Sequence, residues 1–145
     1  MANYQLTETE RSLTELIIGA AIEVHRELGP GLLESTYEDC LSLECAERHL
    51  DIERQKGQPV FYKGLKLSTG YRVDVIVNEL VLIELKTVEK LHPVHTAQVL
   101  TYLKLTGLHV GLLLNFNAPR LKDGLKRVVL SSDGSCSTTP MSGPN

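Results

Sequence analysis

Cysteine is scarce in this chain: Cys40, Cys45 and Cys136 are odd in number and contain no C-x-x-C pair. That argues against a disulfide framework, a structural zinc site or a four-thiolate cluster, and reduced thiols suit a cytoplasmic protein. Long apolar runs are missing too. None approaches 18 residues, and MANYQLTETERS is polar where the apolar part of a secretory signal would follow. A soluble protein with no membrane partner is the expectation. Positive charge is also in short supply. A net charge of −3 over 145 residues gives no global attraction to nucleic acid or anionic lipid. With no obvious basic stripe, a polyanion would have to be held by a local patch or through a metal.

What is present has the balance of a folded domain, 42% hydrophobic and 23% charged. One core is expected over residues 1–130, in a single domain. TETERSLTELIIGAAIEVHREL reads as an amphipathic helix, opened by a capping box at Thr7 and Glu10 and closed by Gly29-Pro30-Gly31. Leu13, Leu16, Ile17, Ala20, Ala21, Val24 and Leu28 share its apolar side. ESTYEDCLSLECAERHL follows as a second helix, with Tyr37, Cys40, Leu41 and Glu44 spaced for one face. From Ile52 the period becomes two. IERQKGQPVFYK, a short KLST segment, YRVDVIV and LVLIELK read as strands of a mainly antiparallel sheet. PVHTAQVLTYLKLTG is a helix with Pro93 in its first turn, HVGLLLNF a buried strand and LKRVVL a weaker edge strand. The tail, 131–145, is low in apolar residues and is expected to be disordered.

The segment LVLIELKTV places Glu84 and Lys86 on one face of a strand otherwise built for burial. Loop length then decides which residues join them. A two-residue turn at Asn78-Glu79 mixes charge into both faces of the hairpin. A three-residue loop pairs Val77 with Val81 and Asp74 with Glu84. One face then carries Val73, Val75, Val77, Val81, Ile83 and Leu85, and the other gathers Asp74, Glu84 and Lys86, with Ile76 and Leu82 beyond. Clean segregation favours the three-residue loop. Paired carboxylates about 5 Å apart repel, so either one of them is protonated or a cation sits between them. Lys86 supplies one in a structural salt bridge; alternatively a hard divalent ion such as Mg²⁺ sits between the acids, with Lys86 free to orient water or stabilise charge on phosphate.

Asp74 followed by Glu84-x-Lys86 resembles the catalytic core of the PD-(D/E)XK nuclease superfamily. The proline of that motif is absent, because Arg72-Val73 precede Asp74. GPGLLESTYE at 29–38 is similar to the signature of the GxxExxY family, with Gly31, Glu34 and Tyr37 in its named positions. ERQ at 53–55, YRVD at 71–74, IELK at 83–86, HTAQVLTYLKLTG at 95–107 and GLLLNFNAPRLKDGLKR at 111–127 extend the likeness. It implies a restriction-endonuclease-like fold, an α/β (α+β) mixed sheet flanked by helices. It implies a Mg²⁺ or Mn²⁺ site from Asp74, Glu84 and the backbone carbonyl of Leu85, with Lys86 beside it. Glu34 matches a further metal-facing glutamate, and Gln98 and Tyr102 match a Gln-x-x-x-Tyr pair on one helix face.

Each residue also has a plainer reading. Glu34 is an acid in the first turn of a helix, where the dipole favours it. Tyr37 can be a packing residue whose hydroxyl finds a partner, and Gln98 and Tyr102 can border the core. His25, His92 and His95 are read as satisfied or surface histidines. Three functions follow: a Mg²⁺-dependent phosphodiesterase acting on nucleic acid, DNA first; a nuclease-fold module that binds nucleic acid or protein without cutting; and an assembly protein forming homo-oligomers. Lys104, Arg120, Lys122, Lys126 and Arg127 are the cations available for a local patch.

Overall fold

The computed structural model describes residues 4–141. The capping box forms at the first helix, α1 (Glu8–Leu28). The Thr7 hydroxyl accepts the Glu10 N–H at 3.1 Å, while the Glu10 carboxylate accepts the Thr7 N–H at 2.8 Å. Helix α2 (Glu34–Glu47) follows the glycine loop. Strands β1 (Ile52–Tyr62), β2 (Leu65–Val77) and β3 (Val81–Lys86) lead to α3 (Pro93–Thr106). Strand β4 (Val110–Asn115) then passes through a short 3-10 turn to β5 (Leu125–Leu130) and β6 (Cys136–Pro140). One six-stranded sheet runs in the order β1-β2-β3-β4-β5-β6, parallel between β3 and β4 and antiparallel elsewhere. It is the expected mixed sheet flanked by helices.

Both faces of the sheet are covered, which is why β3 and β4 are almost wholly apolar. Helices α1 and α2 pack on Val75, Val77, Val81, Ile83 and Leu85. Helix α3 covers Ile76, Leu82 and Leu113 on the opposite face. The three-residue loop at 78–80 sets that division. Val77 pairs Val81, and the Leu80 N–H closes the turn on the Val77 carbonyl at 3.0 Å. Asn78 and Glu79 both take left-handed conformations there, at φ 52° and 57°. Asn78 tolerates that and gains two bonds to Asp51: its N–H donates to the Asp51 carbonyl and its side chain accepts the Asp51 N–H, both at 2.7 Å.

Several elements depart from the sequence reading. KLST and YRVDVIV are one continuous strand, β2, because Gly70 stays extended opposite Pro59. Val73 packs on the α3 side with Ile76, not with its alternate neighbours Val75 and Val77. Ladder pairing between β2 and β3 stops at Val75 and Ile83, while β2 stays paired with β1 beyond that point. Leu16 and Leu28 are partly exposed on α1, where Ile18 is buried instead, and α2 buries Glu38 and Cys45 where Cys40 and Glu44 were expected. Residues 136–140, assigned to a disordered tail, form β6 along β5, so β5 is not an edge. Every side chain of β6 is exposed. Its order comes from backbone hydrogen bonds that composition does not reveal. The end of that tail, 142–145, lies outside the described residues.

The fit of α3 on the sheet depends on Gly111. A Cβ there would stand 2.6 Å from Val99 Cγ1 and 3.6 Å from both Leu103 methyls. Gly111→Ala should therefore lose about 1–2 kcal/mol in urea unfolding, overpacking outweighing the strand preference for alanine. Wild-type stability in that variant would mean that α3 can shift without cost.

Candidate active site

Three carboxylates and one ammonium gather where β2 and β3 part. Past Val75 the Asp74 side chain takes over from the ladder, its Oδ2 accepting the Leu85 N–H at 3.0 Å. The expected direct pairing of Asp74 with Glu84 is thus replaced by a side-chain bond to the next residue, and the two carboxyls remain neighbours. Glu84 is only 3% exposed, and its Oε1 has no hydrogen-bond partner. Lys86 Nζ stands 3.8 Å from Glu84 Oε2, beyond hydrogen-bonding reach, so this ion pair leaves most of the desolvation cost of Glu84 uncompensated. Burial first, then the close approach and charge of the Asp74 carboxyl, push the Glu84 carboxyl up to about 9 against the opposing pull of Lys86. A plain salt bridge would depress that carboxyl instead.

Helix α2 places Glu34, itself exposed at the helix start, within the field of that cluster. Its carboxyl is raised, first by desolvation and then by the charge of Asp74, with Lys86 acting the other way. One turn on, buried Glu38 anchors the helix: Arg54 donates to its Oε2 through Nη2 at 2.9 Å, and Gln55 donates to its Oε1 at 2.7 Å. Consecutive strand residues normally face apart. Gln55 adopts φ 51°, in the left-handed region, so that both reach Glu38, and Arg54 pairs with Asp39 as well. Tyr37 has the packing role foreseen for it. Its ring stacks on Phe116 at 4.7 Å, and its hydroxyl donates to the Gly29 carbonyl and accepts the Leu32 N–H at 3.1 Å, tying down the loop before Glu34.

From the other face, α3 presents Gln98 and Tyr102 together, with Gln98 Nε2 3.3 Å from the Tyr102 hydroxyl. That hydroxyl is raised above its usual value by burial first and by Glu84 second, which brings Tyr102 within the field of the acidic group. His25 is structural, bonding the Ala118 carbonyl at 2.8 Å. His95 is nearer the site than the sequence reading had it: burial lowers its pKa, and Lys86 is the next cause. Asn115 was not foreseen. Its side chain accepts the Val88 N–H at 3.1 Å and donates to the Val88 carbonyl at 2.9 Å, and the Phe116 N–H bonds the Lys86 carbonyl at 3.0 Å. The exit of β3 is fixed directly behind Lys86. A single asparagine ending the apolar run GLLLN was the available signal.

Among the described residues no group of three His, Cys, Asp or Glu side chains is placed to hold a metal ion. A Mg²⁺-type ion does not need three, since it takes one or two carboxylates and keeps several waters. The unpartnered Oε1 of Glu84 and the oxygen of Asp74 left over from Leu85 suit such a donor set. The basic residues 104–127 do not converge on one groove: Lys122 and Lys126 line one, Lys104 another, and Arg120 pairs with Asp123 at 3.3 Å.

A mixed sheet carrying an Asp and a Glu-x-Lys at the divergence of two strands has the form of a nuclease-type core. The sequence matches the family model of the PD-(D/E)XK nuclease superfamily over residues 11–128, and the chain belongs to that superfamily. No curated protein and no solved structure matches it. Among the described residues no helix is long and apolar enough to cross a membrane.

The Glu84 carboxyl gives a pH prediction. Its folded pKa lies above the ordinary 4.5, so the folded state retains a proton that the unfolded chain releases between pH 4.5 and about 9. Stability of the metal-free protein should therefore fall as pH rises through that window. Glu84→Gln should be more stable than wild type by about 1–3 kcal/mol at pH 8 in EDTA, with the gap closing towards pH 5 in paired urea titrations. A variant less stable than wild type at both pH values would contradict it.

Proposed function

We propose that this protein hydrolyses phosphodiester bonds in nucleic acid, DNA first, with Mg²⁺ or Mn²⁺ held by Asp74, Glu84, the Leu85 carbonyl and Glu34. The observation that carries the reading is Glu84: a buried carboxylate with one oxygen unpartnered and its one close cation too distant to bond. When bound, a hard divalent cation offsets charge on phosphate oxygens and lowers the pKa of an attached water.

The chain supplies the rest. Lys86, with a side chain 19% exposed, keeps its ammonium beside the acids, where it orients the attacking water and stabilises charge developing on phosphate. Asp74 holds the strand junction through the Leu85 N–H and keeps one oxygen for the cation. Gln98 and Tyr102 offer donors from the α3 side for the substrate backbone, and Glu34 faces the centre from α2. The narrower likeness to the GxxExxY family is consistent with this arrangement, since Tyr37 secures the loop that delivers Glu34. A module of the same fold that bound without cutting would leave the cost at Glu84 without purpose. Unpaired thiols at Cys40, Cys45 and Cys136 fit a cytoplasmic setting.

Cleavage of labelled single- and double-stranded DNA and of RNA, with Mg²⁺, Mn²⁺ or EDTA, tests the proposal. Ion-dependent cleavage should fall at least ~100-fold in Asp74→Ala, Glu84→Gln and Lys86→Ala, the scale of losing one group that stabilises transition-state charge. Absence of cleavage with either ion, together with no metal-induced rise in melting temperature, would overturn it.

A further inference from the structure

Strands β1 and β2 run on past the helices as a hairpin. Every described side chain from Phe61 to Arg72 is exposed. Three of the chain's seven Phe and Tyr residues stand there, Phe61 and Tyr62 each 61% exposed and Tyr71 52% exposed. Exposed aromatics gathered on one element mark a contact surface. The charge on the same element is one-sided. From Arg54 to Arg72 the sequence carries five Lys or Arg and no Asp or Glu, in a chain whose net charge is −3. Arg54 is taken by Glu38 and Asp39, and Lys56 lies 3.6 Å from Glu53. Among the described residues Lys63, Lys66 and Arg72 enter no ion pair.

Lys66, Tyr71 and Arg72 line a groove of about 340 Å³ together with Gly57, Gln58 and Gly70, the two glycines leaving room close to the backbone, while Phe61, Tyr62 and Lys63 stand further out on the hairpin. Two of its lining residues lie close to the candidate active site. Arg72 is two residues from Asp74, and the Tyr71 ring lies 6.2 Å from Tyr102. Gln58 Nε2 ties the hairpin to α3 through the Leu105 carbonyl at 2.9 Å.

We propose that the β1–β2 hairpin is a docking finger for single-stranded nucleic acid, bases stacking on its aromatics and phosphates meeting Lys63, Lys66 and Arg72. The inference rests on the phosphodiesterase reading for what happens at the strand's far end. Stacking needs unpaired bases, which selects single strands over duplex, and alternating aromatic and cationic groups are how non-specific single-strand sites are built.

Fluorescence anisotropy of a labelled oligothymidine in Ca²⁺ tests the finger on the full chain. Lys63→Ala/Lys66→Ala/Arg72→Ala should weaken binding and reduce the salt slope by roughly 2. Tyr71→Ala should weaken binding about tenfold, within the range for loss of one stacked base. Ser68→Glu, an added charge at an exposed position, should weaken it as well. The Mn²⁺-induced rise in melting temperature should survive in all of these and vanish in Asp74→Ala. Unchanged affinity in the hairpin variants, no binding by wild type, or equal competition by duplex would overturn the proposal. Binding that depends on the hairpin without any cleavage would leave the finger standing and remove hydrolysis; cleavage with hairpin-independent binding would do the reverse.

Discussion

A carboxyl group held inside a sheet is the constraint around which the centre of this protein is organised. Glu84 is flanked in β3 by Ile83 and Leu85, both fully buried, and its ionised form is disfavoured by desolvation and by two neighbouring acids. An uncompensated buried charge costs several kcal/mol, and Lys86 at 3.8 Å recovers only part of it. The same position in a purely structural strand would be better filled by a leucine or isoleucine. Its cost is understandable where a cation and a charged substrate complete the site.

The surrounding architecture keeps that arrangement in place from both faces. On one, Glu38 receives Arg54 and Gln55, so α2 cannot slide along β1, and Tyr37 closes the loop that starts the helix; Glu34 is positioned by both. On the other, close packing of α3 over Gly111 sets how near Gln98 and Tyr102 come to the acids. Behind Lys86, Asn115 locks the outgoing chain. The links through Glu38, Gly111 and Asn115 join residues well apart in sequence, that through Tyr37 is local, and each acts on the centre through backbone placement.

Much of this was legible in the sequence where side-chain chemistry and local pattern coincide. The capping box at Thr7 and Glu10, the hairpin loop deduced from segregating apolar residues, and the gathering of Asp74, Glu84 and Lys86 follow from spacing alone. What escaped depends on backbone geometry. The left-handed Gln55 that turns two consecutive side chains onto Glu38 has no compositional mark, since glutamine seldom adopts it. The reversal of Val73 falls where the β2–β3 ladder ends and where left-handed Gln55 interrupts the β1–β2 ladder, and β6 exists by main-chain bonding under wholly exposed side chains. The basic finger was hidden because Lys63, Lys66 and Arg72 are spread over ten positions and are brought onto one element only when the hairpin closes.

The most direct measurement is anomalous scattering from crystals soaked in Mn²⁺. The account predicts a peak between Asp74 and Glu84, within coordination distance of Glu84 Oε1, with the Lys86 ammonium turned away from it. A soaked crystal without that peak, in which Lys86 closes onto Glu84 as a short ion pair, would contradict it and leave the charged cluster a structural salt bridge.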